Sequence, residues 1–452
     1  MVGRSQTPQW RILHVAAVML VLVSGIMHPA LAEGLIRDAE IEQTLARIAR
    51  PLFKAAGIGP GRIRVLVVDD NSLNAFVIDK HTIFVNSGLV RRLPTIQMLQ
   101  AVIAHELAHI TSGHTVRREL NLRSTNTVAG LGLALAAVVA ASGNSDAASG
   151  IAAGAAGAAL RNYLAHTRAE ETTADQIGAR YMVRAGIDPK AALDVLDIFR
   201  GQEVLSSGQQ DPYSRTHPLS RARIRALKGA IAAYGGNRFT PPSKDLVYRF
   251  ARMRAKFRGF IGNPAYVLRH LKKGDRTEAA RMTRAIALHR QGRLKAAVAL
   301  MNGLIGGRPK DPFYHELKGQ ILLEGRAPAE AVKSYQTAVA LAPHQPLIRA
   351  GLGRALLALR SKSGDRKALK VLLKARQMDP RDARMLRDLA LAWAKRGNNG
   401  MAALVTAERY ALLGRFKDAK TNATRALGLL ARGSRGWLRA DAILAASKVA
   451  LK

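Results

Sequence analysis

Apolar positions along the chain recur with two different periods, and the change from one to the other divides it. From Asp38 to Ala56 the residues Ile41, Leu45, Ile48, Leu52 and Phe53 fall near helical spacing. Gly57-Ile58-Gly59-Pro60-Gly61 ends that pattern. RIRVLVVDD (62–70) and NAFVIDKHTIFVN (74–86) are then rich in Val, Ile and Phe. In the second run Asp79-Lys80-His81 separates two apolar stretches, which predicts a β-hairpin. Pro94 and Thr95 open a helix whose apolar positions are Leu99, Val102, Ile103, Leu107 and Ile110, with Gly113 as its stop. Another helix runs from about Thr167 to Ala185 and stops at Gly186; Asp188 caps the next, with Pro189 in its first turn. The polar stretch GQQDPYSRTHPLSRARI (208–224) reads as a loop leading into a helix.

Beyond residue 275 the pattern repeats. LHRQGRLKAAVALMNGLIGGRPKD aligns with LLEGRAPAEAVKSYQTAVALAPHQ, placing Pro309 and Pro343, Ala297 and Ala331, and Met301 and Tyr335 each 34 residues apart. Helix, Gly-containing turn, Ala-rich helix and closing Pro at this period resemble the tetratricopeptide repeat. Pro380 follows Pro343 by 37 residues, so the third unit carries an insertion near SKSGD (361–365). YALLGRFKDAKTNATRAL (410–427) restates the theme, giving three or four repeats with the later ones degenerate. The periodic Leu and Ala positions here are core.

Residues 127–160 are a Gly/Ala-rich segment whose apolar run, Val128 to Ala141, is too short to span a bilayer comfortably; it reads as a helical hairpin turning at GNSD (143–146). At the N-terminus, Arg4 and Arg11 precede the apolar run Val15–Val23, and Ala30-Leu31-Ala32 stands before Glu33. Basic region, short apolar core and small-residue site describe a secretory signal peptide (1–32) cleaved after Ala32, rather than a membrane anchor. In a bacterium such a protein is periplasmic.

Composition sharpens this. At 452 residues the chain is too long for one ordinary core, and with no cysteine any metal site must use His, Asp or Glu. The net charge of +38 is uneven: residues 241–452 hold 44 Lys and Arg against 14 Asp and Glu, a net of +30. Export argues against nucleic acid as the partner of such a field and favours an anionic membrane surface or acidic protein clients.

One motif carries chemistry. His105-Glu106-Leu107-Ala108-His109 puts two imidazoles on one helical face, a turn apart, and rotates Glu106 about 100° from His105, where it suits a general base on a metal-bound water. By chance the pattern is expected on the order of one time in a hundred in such a chain. A catalytic zinc wants a third protein ligand. HTRAEETTADQIGARYM (166–182) supplies Glu171, with Asp175 one turn on and able to orient a ligand imidazole or assist proton transfer; Glu170 competes on geometry alone. His81, His114 and His166 are read as surface or supporting residues.

HELAHITSGH, TRAEETTADQIG and THPLSRARI (216–224), in this order, resemble the M48 family of zinc metallopeptidases, over roughly residues 35–230. Asn74-Ala75-Phe76 and the run to Val90 look like that family's strand region beside the cleft. The resemblance implies one Zn²⁺ ion held by His105, His109 and Glu171, selecting Glu171 over Glu170, with Glu106 as base and Asp175 as the family's acid. It implies that His217 approaches the metal to block or tune it and that Arg223 is the basic residue that follows. The architecture expected is α+β and mainly helical: a zincin-like domain (33–235), a linker helix region (236–274) and an all-α repeat solenoid (275–452). The implied function is endopeptidase action on misfolded or stalled envelope and outer-membrane protein clients. The rival is a chaperone or assembly factor whose repeats dock clients or the outer-membrane assembly machinery, with proteolysis secondary and gated by His217. A membrane-embedded protease is a third possibility and rests on 127–160 alone.

Overall fold

A computed structural model of the chain describes residues 34–114, 168–201, 212–235, 238–272 and 274–451. The signal segment (1–32), the Gly/Ala-rich hairpin (127–160) and His166 lie outside the described residues. The molecule is mainly helical with a small sheet, and it divides into two compact units. One is Ile41–Arg254; the other joins the described residues up to Glu40 with those from Ala255 onward. Among the described residues no helix is long and apolar enough to cross a membrane.

In the unit 41–254, helix α1 (Ala39–Ala55) buries Ile41, Leu45, Ile48 and Leu52, as their spacing predicts. The β-rich stretch becomes β1 (Arg64–Val68), β2 (Ala75–Asp79) and β3 (Thr82–Asn86). Strands β2 and β3 form the expected antiparallel hairpin, Phe76 opposite Phe84, and β1 pairs with β3 in parallel, Val65 opposite Ile83. A short α2 (Ser87–Arg92) follows. The Thr95 hydroxyl then accepts a hydrogen bond from the Met98 amide and starts α3 (Ile96–Thr111). This helix is buried on every side from Met98 to His109, the mark of a central element. Gly113, at φ +70°, takes the left-handed turn that ends it.

Helix α4 (Arg168–Arg184) packs along α3 so closely that a Cβ on Gly178 would meet the Ala104 backbone at 3.3 Å. Next come α5 (Lys190–Ile198), α6 (Pro212–Thr216) and α7 (Arg221–Ala232). Pro189 itself occupies the cap position of α5, while Asp188 accepts the Lys190 amide at 2.9 Å. The expected loop at 208–224 contains the short helix α6, a departure that decides the form of the site.

Helices α8 (Lys244–Ile261) and α9 (Pro264–His270) precede ten repeat helices: α10 (Glu278–Arg290), α11 (Leu294–Gly307), α12 (Pro312–Glu324), α13 (Pro328–Leu341), α14 (Pro346–Ala358), α15 (Lys362–Met378), α16 (Ala383–Lys395), α17 (Asn399–Leu412), α18 (Phe416–Leu429) and α19 (Arg435–Ala450). Each packs on the next, the pattern of a tetratricopeptide-like solenoid. The positions one period apart are core: Ala297, Ala331 and Met301 are fully buried and Tyr335 nearly so. The insertion read near SKSGD lengthens α15 to 17 residues, against 14 in α11 and α13.

Candidate metal centre and its surroundings

Helical geometry places His105 and His109 one turn apart in the buried C-terminal half of α3, and the close approach at Gly178 brings α4 alongside with Glu171. The His105 and His109 Nε2 atoms stand 3.1 Å apart. Glu171 reaches both, with an oxygen 3.4 Å from each Nε2. From the segment after α6, His217 adds Nδ1 at 3.3 Å from His105 Nε2 and 3.1 Å from Glu171. All four donors lie within 4.8 Å of one another, and all four residues are buried.

These spacings test the donor set for a metal. Ligand atoms each about 2.0–2.1 Å from a tetrahedral zinc lie about 3.3–3.4 Å apart; four of the donor pairs here run from 3.1 to 3.4 Å, and the whole set lies within 4.8 Å. Two nitrogens that each offer a lone pair approach so closely only around a shared cation or proton. Three imidazoles and a carboxylate, with no thiolate, suit zinc among the common divalent ions. The residues fit the ion.

Asp175, one turn after Glu171, sits behind His105. Its Oδ1 is 2.9 Å from His105 Nδ1, and its carboxylate takes Arg223 Nε at 2.5 Å and Nη2 at 2.9 Å. Of the two roles left open by its position in the chain, the contacts are those of a group that orients an imidazole. Arg223 also reaches Glu171 at 2.8 Å and donates to the His217 carbonyl at 3.3 Å, binding α4 and the loop before α7 together. Burial alone would raise both acids; Arg223 and the neighbouring histidines reverse that, holding Glu171 well below the carboxylate range and lowering Asp175. The arginine is held above its ordinary value, burial being outweighed by Asp175 and Glu171. Burial pulls His105 down as well, but hydrogen bonds and charge from Asp175 and Glu171 prevail and raise it to about 10. For His109 burial wins, joined by charge from His105 and His217, and it falls to about 3.

Glu106 is fully buried, its Oε1 3.5 Å from His217 Nε2. Glu170 is only partly buried and lies outside the donor cluster. His81 is remote, with Nδ1 3.3 Å from the Arg62 carbonyl. His114, by contrast, is buried with Nδ1 2.9 Å from His109 Nδ1, a supporting contact.

His217, which the family resemblance brings up to the metal, stands among the donors themselves. One feature escaped the sequence: α6, which closes the cleft edge. β2 turns one edge to β3, and its other edge at Leu73 and Ala75 is taken: the Tyr213 amide donates to the Leu73 carbonyl at 3.1 Å, and His217 Nε2 is 3.3 Å from the Ala75 carbonyl. Thr216 Oγ1 adds a bond to Asn74 at 3.3 Å. Tyr213 stacks on Phe199 at 4.5 Å and lies against the His217 ring at 4.6 Å, fixing the imidazole from behind. Aromatic spacing at 199 and 213 carries no signal, because the contact joins two elements.

Residues 36–231 match the profile of Peptidase family M48. Over 410 residues the chain is 25% identical to the beta-barrel assembly-enhancing protease of Yersinia pestis, covering 88% of this chain and 80% of that one. It is 28% identical over 190 residues to the mitochondrial metalloendopeptidase OMA1 of Schizosaccharomyces pombe, 41% of this chain and 51% of that one. A thermophilic TPR protein of Thermus thermophilus is similar over 37% of this chain and all of its own, at 22% identity and a TM-score of 0.26.

Proposed function

Residues 36–231 are a peptidase family M48 domain and the chain is a metallopeptidase; from that premise we propose that it is an exported zinc endopeptidase acting on misfolded or stalled envelope protein clients. The observation that carries the reading is the convergence of His105, His109, Glu171 and His217, donors within 4.8 Å, with the Glu106 carboxylate beside them. His105, His109 and Glu171 hold the ion, which supplies Lewis acidity toward water and the scissile carbonyl. Glu106 takes the proton of the attacking water and delivers it to the leaving amine as the C–N bond breaks. Asp175, anchored by Arg223, keeps the His105 ring turned to the cluster. Export rests on the signal-like N-terminus and places the mature chain in the periplasm; N-terminal sequencing should find Glu33 first. A Glu106→Gln variant should keep its metal and lose peptide cleavage by about 10²–10⁴-fold. Full cleavage by that variant would overturn the assignment.

A second reading, gated or secondary proteolysis by a protein that chiefly docks clients or the outer-membrane assembly machinery, is favoured by α6. A catalytic zinc needs an open position, and His217 makes a fourth donor while Tyr213 and His217 occupy the strand edge where an extended substrate would pair along Asn74-Ala75-Phe76. His217→Ala should therefore raise hydrolysis of a short unstructured peptide several-fold; a fall would show that His217 serves the reaction instead. In cells lacking the protein, rescue by Glu106→Gln would make docking the dominant role.

A further inference from the structure

Within the repeat unit the packing alternation changes once. Helix α12 packs on α14 and α14 on α16, skipping one helix each time, but the next such pair is α17 with α19. The alternation shifts between α16 and α17, and a cavity of about 440 Å³ opens there. Arg37, Arg381, Arg384, Arg387 and Arg409 line it, and its acid is Asp382.

That acid is spent on the backbone: Asp382 Oδ1 accepts the amides of Arg384 and Met385 at 2.9 and 3.0 Å as the cap of α16. Arg37 is paired with Asp379 at 2.5 Å and Arg387 with Asp388 at 3.1 Å. The side chains of Arg381, Arg384 and Arg409 make no ion pair at contact distance among the described residues, although Asp388 attracts the Arg384 charge. Arg409 stacks on Tyr410, and its Nε is buried with no hydrogen-bond partner. Arg384 is exposed at the cavity mouth, and partial burial with the nearby Arg354 and Arg387 lowers its guanidinium while Asp388 opposes the shift. Gathered like charges and an unsatisfied buried N–H both cost free energy that an anion would recover.

We propose that this cavity binds a carboxylate of a polypeptide, with the adjoining apolar side chain seated against Leu35, Leu412 and Leu413. The planar guanidinium forks of Arg381, Arg384 and Arg409 match a carboxylate, and the apolar wall gives the next group of the chain a dry surface. The volume holds the last one or two residues of a chain, or an acidic residue and its neighbour, in a range normal for ligand pockets. The proposal rests on the reading that the protein handles polypeptide clients, and it adds a recognition point within the repeats. The carboxylate comes either from a free C-terminus or from an Asp or Glu side chain.

The test is fluorescence anisotropy with the full chain carrying Glu106→Gln, so that binding is read whether or not the protein is a peptidase. Three labelled peptides are compared: one ending in Leu with a free carboxylate, its C-terminal amide, and an amide with an internal Glu-Leu pair. The first should bind at least about tenfold more tightly than the acid-free amide, as loss of a charge-assisted pair requires. Binding of the third as tight as the first assigns the site to side-chain carboxylates, and weaker binding to the C-terminus. Arg384→Gln and Arg409→Gln, on separate helices, should each weaken binding about tenfold, while Lys417→Gln should not. Equal binding of all three peptides overturns the proposal, and so does displacement by inorganic phosphate or anionic phospholipid vesicles at lower concentration than by acetylated free-acid peptide. The peptide comparison needs no arginine variant, so misfolding of one cannot mask the result.

Discussion

At the scale of single residues, the site is a set of opposed charges on buried side chains. His105 is bonded through Nδ1 to Asp175 and faces Glu171 through Nε2, so without an ion it keeps a proton up to about 10. A folded-state pKa raised above the ordinary histidine value of about 6.5 stabilises the ion-free fold fully below that value. The contribution is lost as pH climbs through about 10. An ion takes the neutral ring, so binding must expel this proton, whereas His109, at about 3, has none to lose. Zinc affinity should rise about tenfold per pH unit from 7 to 9, with about one proton released per ion. Calorimetry in buffers of different ionisation enthalpy measures both; a release of zero would refute the assignment of charge to His105. The residues legible beforehand, His105, His109, Glu171 and Asp175, are those one helical turn apart on their own helices. His217 was brought to the metal by the family resemblance and by no spacing within the chain, since its place depends on Tyr213 packing against Phe199 from another element.

At the scale of elements, periodicity located the helices because most bury one face, and local chemistry located their ends, as Thr95 does for α3. It failed at α6, five residues whose helix is held by contacts with Leu73, Asn74 and Ala75 rather than by an apolar face of its own. Within the repeats the fit between helices depends on small residues set against large ones. The Tyr335 ring lies between Gly319 and Gly351; a Cβ on Gly351 would stand 2.4 Å from it, with backbone geometry otherwise ordinary for alanine. Gly351→Ala should destabilise the repeat unit by about 1–3 kcal/mol through overpacking, seen as a lower urea midpoint, with metal content unchanged. No change in midpoint would mean that Tyr335 swings aside at no cost.

At the scale of the whole molecule, long-range charge decides what the pattern of apolar residues cannot. Lys256 is fully buried in the repeat unit with Asp38 at 2.7 Å, Glu40 at 3.3 Å and Glu316 at 3.4 Å, residues far apart in the chain. Burial opposes its charge, but these acids outweigh burial and hold its pKa above that of an ordinary lysine. Burial pushes Glu316 up to about 7 even with Lys256 opposing. Lys256→Met leaves three acids together and should cost about 3–5 kcal/mol at pH 8. Lowering the pH to 6 should recover part of this as Glu316 takes a proton. Denaturant midpoints at the two pH values test it, and an equal loss at both would rule out Glu316 as the group that responds.

The amino-acid sequence by itself determined the helices, the hairpin, the 34-residue repeat and the metal-binding pair with its acidic partner, because all of these are written in spacings shorter than one element or one period. Only the tertiary structure decided that His217 joins the donors, that α6 covers the strand edge and that arginines from residues 37, 381, 384 and 409 share one cavity. Each of those depends on which surfaces meet once the cores are packed, and contact between distant segments leaves no period in a single chain.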